Sequence, residues 1–465
     1  MEYEKLNYNL LKNIFRYISL NQDFNSNDIL ADFFIKYRYD DINILKQDIK
    51  NIVDFLLYNK RIVKIGDSFL ISDAYHNKAE QELFVYWNQE LIGYLGFSTK
   101  NGYTFAYDTN YLLKESDTPI VLPLSFEIYE SKYGFIDFFE NIPEGIDKNI
   151  LENKILDAGK EAIAYFDLLV HNTYAKNQLM FLQKKIESKA QAPISYELLK
   201  DEILGSHIFP NILDCDIKIS DNDLFPNAID YKQLKEVRNF SISGFQHKQA
   251  IIIENNEIRL PKMDKNILLE EPLYFIKPYN KYKAKHGIQH IAINEHLHLS
   301  FAKNELGFDV PYSAICKRDK DSEFHYIVKF FDRIEQYSFP KVEIATYLGL
   351  DANNKYNISS EKMFKKFNEI LANIENTLKD SNTTKRIIGN VLFNRIHPSL
   401  RNVSEIVSSF EEMSNLKFLN SMIRDRARIK GSVSNGISVL EEVGYAKDER
   451  AINDLKRAFE EIESL

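Results

Sequence analysis

Four places in the chain carry residue types suited to phosphate chemistry. The first is Ser241-Ile242-Ser243-Gly244-Phe245-Gln246-His247-Lys248, where one glycine and two hydroxyls sit between strand-like apolar segments. A turn of this kind offers backbone N–H groups and a lysine to an anion, although serine and glycine are also ordinary turn residues. The second is Lys277, at the end of the apolar run Tyr274-Phe275-Ile276. A lysine there either faces a cleft and meets phosphates or snorkels to solvent. The third is Glu295, early in the next helical segment. It is placed either to anchor Lys277 or to sit at the positive end of a helix dipole. The fourth is Asp332-Arg333, which reads equally as a salt bridge closing a strand.

Such residues need a sheet and a covering helix. NFSISGFQHKQAIIIENNEIRL reads as strand, turn, strand, with a second turn at Asn255-Asn256, and PLYFIKPYN as another short strand. AINEHLHLSFAKNELG has helical spacing, and Ile293, Leu297, Phe301 and Leu306 are the expected packed face. HYIVKFFDRIEQ reads as a buried strand ending in charge. After Pro340 the chain reads as mostly helical. Strands followed by helices is the α+β order of two unequal lobes, here residues 238–335 and 336–465. Before them, residues 181–237 read as an acidic, loop-like connecting region punctuated by Pro193, Pro210 and Pro226. Residues 76–180 read as a small β-rich unit with a hairpin at Asn101-Gly102, helical from about Lys148 onward, with no evident chemistry.

The first 75 residues read as three helices and a hairpin. Leu6, Leu10, Leu11, Ile14, Phe15 and Ile18 have helical spacing. Asn25-Ser26-Asn27 offers an N-cap to a second helix, DILADFFIKYR. NILKQDIKNIVDFLLYN is the third, and RIVKI, Gly66-Asp67-Ser68 and FLIS form the hairpin. This is the order of a winged helix, which either reads DNA through its third helix or contacts protein. Ten Lys/Arg stand against eleven Asp/Glu in residues 1–75, and Lys46 and Lys50 share the third helix with Asp48 and Asp54. That balance favours protein contact over DNA.

Composition bounds the classes. The 465 residues are 44% hydrophobic and 27% charged, ordinary for a globular chain of about three domains. No apolar run is long enough to span a membrane, and MEYEKLNYNLLKNIF lacks the apolar core of a secretory signal. Cys215 and Cys316, the only cysteines, make neither a disulfide framework nor a metal spacing. A cytoplasmic setting is expected. The net charge, 59 − 68 = −9, disfavours non-specific nucleic-acid binding.

Taken in order, SISGFQHK, YFIKP, NEHLHLSFAKNELGFDVP and YIVKFFDR, followed by ATYLGL and NNKY, resemble the HipA family of bacterial serine/threonine kinases. ELIGYLGFSTKNGYTFAYDTNYLL, VLPLSF and FFENIPEG resemble that family's N-terminal subdomain. The resemblance covers residues 85–360 and leaves out 1–75. It implies an α+β, HipA-like two-lobed kinase fold with a β-rich N-terminal subdomain, here preceded by a winged-helix domain, and ATP as ligand. Ser241, Ser243, Gly244, Gln246 and Lys248 match the family's phosphate loop, with Ser241 and Ser243 as the hydroxyls that would be autophosphorylated. Lys277 matches the ATP-phosphate lysine and Glu295 the helix glutamate. Val328 and Lys329 would lie near the adenine.

One motif departs from the family. Members carry an Asp-x-His-x-Lys-Asn catalytic loop after an apolar helix; here the matching stretch is RIIGNVLFNRIHPSLRNVSEI. Anchored on Asn402, it places Arg401, Ser399 and His397 at the lysine, histidine and aspartate; anchored on IIGN, it places Leu392 near the aspartate. Neither supplies a carboxylate, and the later magnesium-binding aspartate has no match. Phosphoryl transfer needs carboxylates for the proton and for Mg²⁺, and imidazole suits that hard ion poorly. His397 and Asn402 are therefore degenerate loop positions, no metal ligand is assigned, and Mg²⁺ binding is left open. Asp380, Glu405, Glu411 and Glu412 are acids that another threading would recruit. The expected function is a degenerate kinase, a pseudokinase, that holds ATP and acts through a protein partner of antitoxin-like or regulatory kind. The rivals are an active HipA-like serine/threonine kinase toxin with relocated acids, and a winged-helix transcriptional regulator with a ligand-sensing kinase-like domain.

Overall fold

Leu10, Leu11, Ile14, Phe15 and Ile18 form the buried stripe of α1 (Tyr8–Leu20) in the computed structural model of the chain. Asn7 caps this helix, accepting from the Leu10 N–H at 3.1 Å. Then come α2 (Leu30–Lys36) and α3 (Ile42–Tyr58), the latter capped by Asp41, and an antiparallel pair, β1 (Ile62–Ile65) and β2 (Ser68–Ile71). The structure describes residues 7–20, 30–37, 41–65, 68–72, 79–114, 120–135, 138, 142–171, 179–188, 198, 212–226, 247–264, 267–268, 270–279, 290–305, 307–317, 323–334, 337–350, 360–380, 389–396, 416–424 and 449–464. Among them, no helix is long and apolar enough to cross a membrane.

The second unit is a five-stranded sheet. Its strands are β3 (Gln81–Trp87), β4 (Glu90–Ser98), β5 (Gly102–Tyr107), β6 (Tyr129–Ser131) and β7 (Met180–Leu182), in the order β6-β5-β4-β3-β7. The expected hairpin at Asn101-Gly102 joins β4 to β5. Gly102 has φ +80, and a Cβ there would come within 2.6 Å of the Ser131 carbonyl oxygen, so the turn depends on glycine. Among the described residues, α4 (Thr109–Leu112), α5 (Gly145–Asp157) and α6 (Tyr165–His171) accompany the sheet.

The expected boundary at residue 75 does not separate two cores. One apolar cluster runs from Leu10 and Phe15 through Ile49 and Leu56 to Val85, Phe105, Phe138 and Phe181. Phe15 meets Phe126 at 5.1 Å between ring centroids. Arg61, fully buried, donates from Nε to the Phe126 carbonyl at 2.9 Å and from Nη1 to the Tyr107 carbonyl at 2.7 Å. The helical unit is built into the β-rich one.

A seven-stranded sheet forms the third unit. In chain order its strands are β8 (Ile212–Leu213), β9 (Asp216–Ile217), β10 (Gln249–Glu254), β11 (Glu257–Arg259), β14 (Tyr274–Lys277), β15 (Ser313–Lys317) and β16 (Phe324–Lys329), with the short pair β12 (Met263–Asp264) and β13 (Ile267–Leu268) between. Their spatial order is β8-β15-β16-β14-β10-β11-β9. Asn255 and Asn256 make the β10–β11 turn at φ 50 and 61. Residues 212–226 correct the reading of 181–237 as a connecting region. They supply both edge strands and α7 (Asp221–Leu224), and Ile219 and Leu224 pack on Ile251, Ile276 and Ile327. The opposite face is covered by α8 (Ile291–Asn304).

Beyond it lie β17 (Arg333–Ile334), β18 (Tyr337–Ser338), α9 (Ile344–Tyr347), α10 (Ser360–Asp380), β19 (Gly389–Ile396), β20 (Leu416–Arg424) and α11 (Glu449–Glu463). Within this mostly helical stretch stand two strands, β19 and β20, which pair in parallel with Val391 opposite Phe418. Val391 and Phe393, like Leu416 and Phe418, alternate at the strand period of two, a signal that outweighs helical spacing there.

Candidate functional site

The sheet face under α8 is set by register. β14 and β16 are antiparallel, with Lys277 opposite Tyr326 and Phe275 opposite Val328. On the other side Ala250 of β10 stands opposite Phe275 and Gln249 opposite Ile276; Lys248 immediately precedes β10. Because side chains alternate between faces, Lys277, Tyr326 and Val328 point the same way. The Lys277 ammonium is bonded to the Glu295 carboxylate of α8 and lies 5.3 Å from the Tyr326 ring centroid.

Burial pushes Lys248 down to about 8, helped by the neighbouring Lys277 charge and opposed by Glu144, Asp147 and Glu295. Burial also raises the Tyr326 phenol, with Glu295 acting in the same direction and the bond to Ser313 opposing. Ser313 in turn meets His296 Nδ1 at 2.9 Å. Burial lowers the imidazole below its ordinary value and so favours the neutral ring. A small cleft opens beside the Lys277–Glu295 pair, lined among others by Tyr279, His290, Ile293, Glu323 and Phe324.

These contacts fix the rotation of α8, and the expected packed face is corrected in part. Ile293 packs as expected, joining the Tyr326–Val328 cluster with Ala292, and His296 is 3% exposed, but Leu297 is 51% and Phe301 42% exposed. Leu306 lies outside the described residues. The Lys277–Glu295 and His296–Ser313 bonds turn Leu297 and Phe301 outward, and Phe301 meets Phe459 of α11 at 5.5 Å between ring centroids.

Val328 packs with Ile315 and Tyr326 beneath α8. Lys329 points to the other face, 2% exposed, its N–H donating to the Tyr312 carbonyl at 2.9 Å. Asp332 and Arg333 form the salt bridge that was one of their two readings, within a longer network. Arg333 Nη1 reaches Glu271 at 3.0 Å, Arg333 Nε lies 3.6 Å from Asp332, and Lys341 pairs with Asp332. Burial opposes ionisation of Asp332, but the charges of Lys341 and Arg333 hold its carboxyl below the ordinary value. Ser241, Ser243, Gly244, Gln246, His397, Ser399, Arg401, Asn402, Glu405, Glu411 and Glu412 lie outside the described residues. Leu392 falls within β19 rather than after an apolar helix, and Asp380 ends α10.

The sequence reading assigned no role to Glu144 or Asp147, yet both act on Lys248, and Asp147 meets His247. Nothing in the spacing of residues a hundred positions apart could have joined them; FFENIPEG and SISGFQHK were each visible, but their proximity was not. Among the described residues no grouping of three or more His, Cys, Asp or Glu side chains is suited to a metal ion.

A sheet strand that presents a lysine to a glutamate of its covering helix is the arrangement by which kinase-fold proteins hold nucleotide phosphates. Residues 240–415 match the family model of the HipA-like C-terminal domain, so this part of the chain is a HipA-like domain. The match takes in the turn, the lysine, the helix and HPSLRN; it leaves out residues 1–239, including the edge strands β8 and β9. No curated protein matches the chain.

Proposed function

We propose that the chain is a degenerate HipA-like kinase that holds ATP without transferring its phosphate and acts through a protein partner. The observation that carries this is the Lys277–Glu295 pair, whose charges both act on Lys248, combined with HPSLRN standing where the family's catalytic carboxylate belongs. Two neighbouring lysines suit a polyphosphate, whose oxygens accept charge-assisted bonds from both. Without a carboxylate to take the hydroxyl proton or hold Mg²⁺, binding is separated from transfer.

The N-terminal helical unit supports a protein rather than a DNA partner. The outer positions of α3 mix Lys46 and Lys50 with Asp48 and Asp54, and the β1–β2 hairpin leaves Val63 38%, Ile65 61% and Ile71 36% exposed. Phosphate contacts need a cationic surface, whereas apolar exposure of this kind suits a protein.

Titration of the full chain with ATP, with and without Mg²⁺, followed by intact mass of the same samples, tests the reading. Saturable binding with unchanged mass is expected. Addition of a phosphoryl group at Ser241 or Ser243 would establish the active-kinase alternative instead.

A further inference from the structure

We infer that Asp147 of the β-rich unit is a positioning residue for the nucleotide site, holding His247 so that Lys248 is set beside Lys277. The inference rests on the nucleotide-holding reading and goes beyond it, because it gives residues outside the HipA-like C-terminal domain a part in that site.

The backbone ladder between β10 and β14 starts at Gln249, opposite Ile276. His247 and Lys248 therefore lie beyond the last paired position, and His247 is held there by a side-chain contact. His247 Nδ1 lies 3.0 and 3.1 Å from the two carboxylate oxygens of Asp147. The side chains are only 13% and 22% exposed. With its proton on Nδ1 the imidazole donates to this carboxylate in either charge state. Asp147 itself sits in the first turn of α5, where the helix dipole favours the ionised form.

A second grip lies elsewhere on the same unit. The Asn88 amide donates to the Ser338 carbonyl and accepts from the Ser338 N–H, both at 2.8 Å, and Trp87 faces Tyr337 at 6.2 Å between ring centroids. The β-rich unit thus holds the lobe at β18 and at the start of β10. With two separated attachments it acts as a frame, and Asp147 transmits that frame to Lys248 through His247. Electrostatic competition, in which Asp147 and Glu144 take the place of phosphate, predicts a different outcome and is tested alongside.

The experiment uses the full chain and its Asp147→Asn, Asp147→Ala and His247→Ala variants. Hydrogen exchange of residues 247–254 is measured without nucleotide, and ATP affinity in parallel. Asp147→Asn keeps an oxygen acceptor for His247 and is expected to stay within about two-fold of the parent in both readouts. Asp147→Ala and His247→Ala are expected to speed exchange at the start of β10, and Asp147→Ala to weaken ATP about ten-fold. Rescue by asparagine separates positioning from charge, and His247→Ala breaks the same contact without touching α5. Unchanged exchange in both alanine variants overturns the inference, as does tighter ATP binding in both Asp147 variants, which would signify competition. If the parent protein binds no ATP, the nucleotide reading fails, and the exchange arm alone decides whether Asp147 sets the strand.

Discussion

Lys277 of β14 pairs with Glu295 of α8, and its charge acts on Lys248, which precedes β10 and is also acted on by Glu144 and Asp147 of the β-rich unit. Two interacting like charges carry a cost that an anionic ligand would relieve. Lys248 is expected to lose its proton near pH 8 in the folded protein, whereas in the unfolded chain it keeps it until about 10.5. Between those values the unfolded state binds more protons, so this group makes the protein more stable as pH rises from about 8 toward 10.5; below about 8 its penalty is fully present. Lys248→Met should remove that slope and raise stability at pH 7 by about 1–2 kcal/mol. Denaturant unfolding at several pH values reads both effects.

ATP binding should also change protonation. A polyphosphate beside Lys248 favours its charged form, so binding near pH 8.5 is expected to take up a proton. Calorimetric titration in buffers of different ionisation enthalpy measures that uptake, and Lys248→Met should abolish it. An uptake unchanged in the variant would place the phosphates elsewhere.

Arg61 ties the helical unit to the β-rich unit. Its guanidinium is fully buried, bonded to the Phe126 and Tyr107 carbonyls and 5.8 Å from the Phe126 ring centroid. Arg61→Met would leave those acceptors without their donor and is expected to cost about 2–4 kcal/mol. Because one core runs from Leu10 to Phe181, residues 1–180 should melt in one transition, and removal of residues 1–75 should destroy it. Separate transitions on either side of residue 75 would contradict the shared core.

α8 shows how far the sequence could be read. Its approximate span was legible from the helical period, a local signal, although it ends at Asn304 rather than Gly307; Glu295 was read either as an anchor for Lys277 or as a first-turn acid. The rotation of α8 was not legible. Leu297 and Phe301 are the larger apolar residues, yet ion pairing at Glu295 and the His296–Ser313 bond turn the helix and leave Leu297 51% exposed. The hairpins at Asn101-Gly102 and Asn255-Asn256 were legible for the same local reason. β8 and β9 were not: two-residue strands have no period, and their partners, β15 and β11, lie far along the chain. The rotation is testable. His296→Ala should cost about 2–3 kcal/mol, while Leu297→Gln should stay within about 0.5 kcal/mol. The reverse ranking in thermal unfolding would restore the apolar-face reading.

The decisive expectation concerns transfer. Lys277→Met removes the ammonium that would meet the phosphates and leaves Glu295, whose side chain is 30% exposed, hydrated enough for the fold to survive. Its ATP affinity should fall about ten-fold or more, the worth of a charge-assisted bond. Phosphate content should not change at all, because the parent protein is expected to carry none on Ser241 or Ser243. An active kinase would behave differently: its phosphate would be present in the parent and lost in Lys277→Met. Intact mass of both proteins after incubation with ATP and Mg²⁺ therefore separates a nucleotide-holding protein from an enzyme. A phosphoryl group present in the parent and absent in the variant would mean that acids such as Glu405 or Glu411 do the work that HPSLRN cannot.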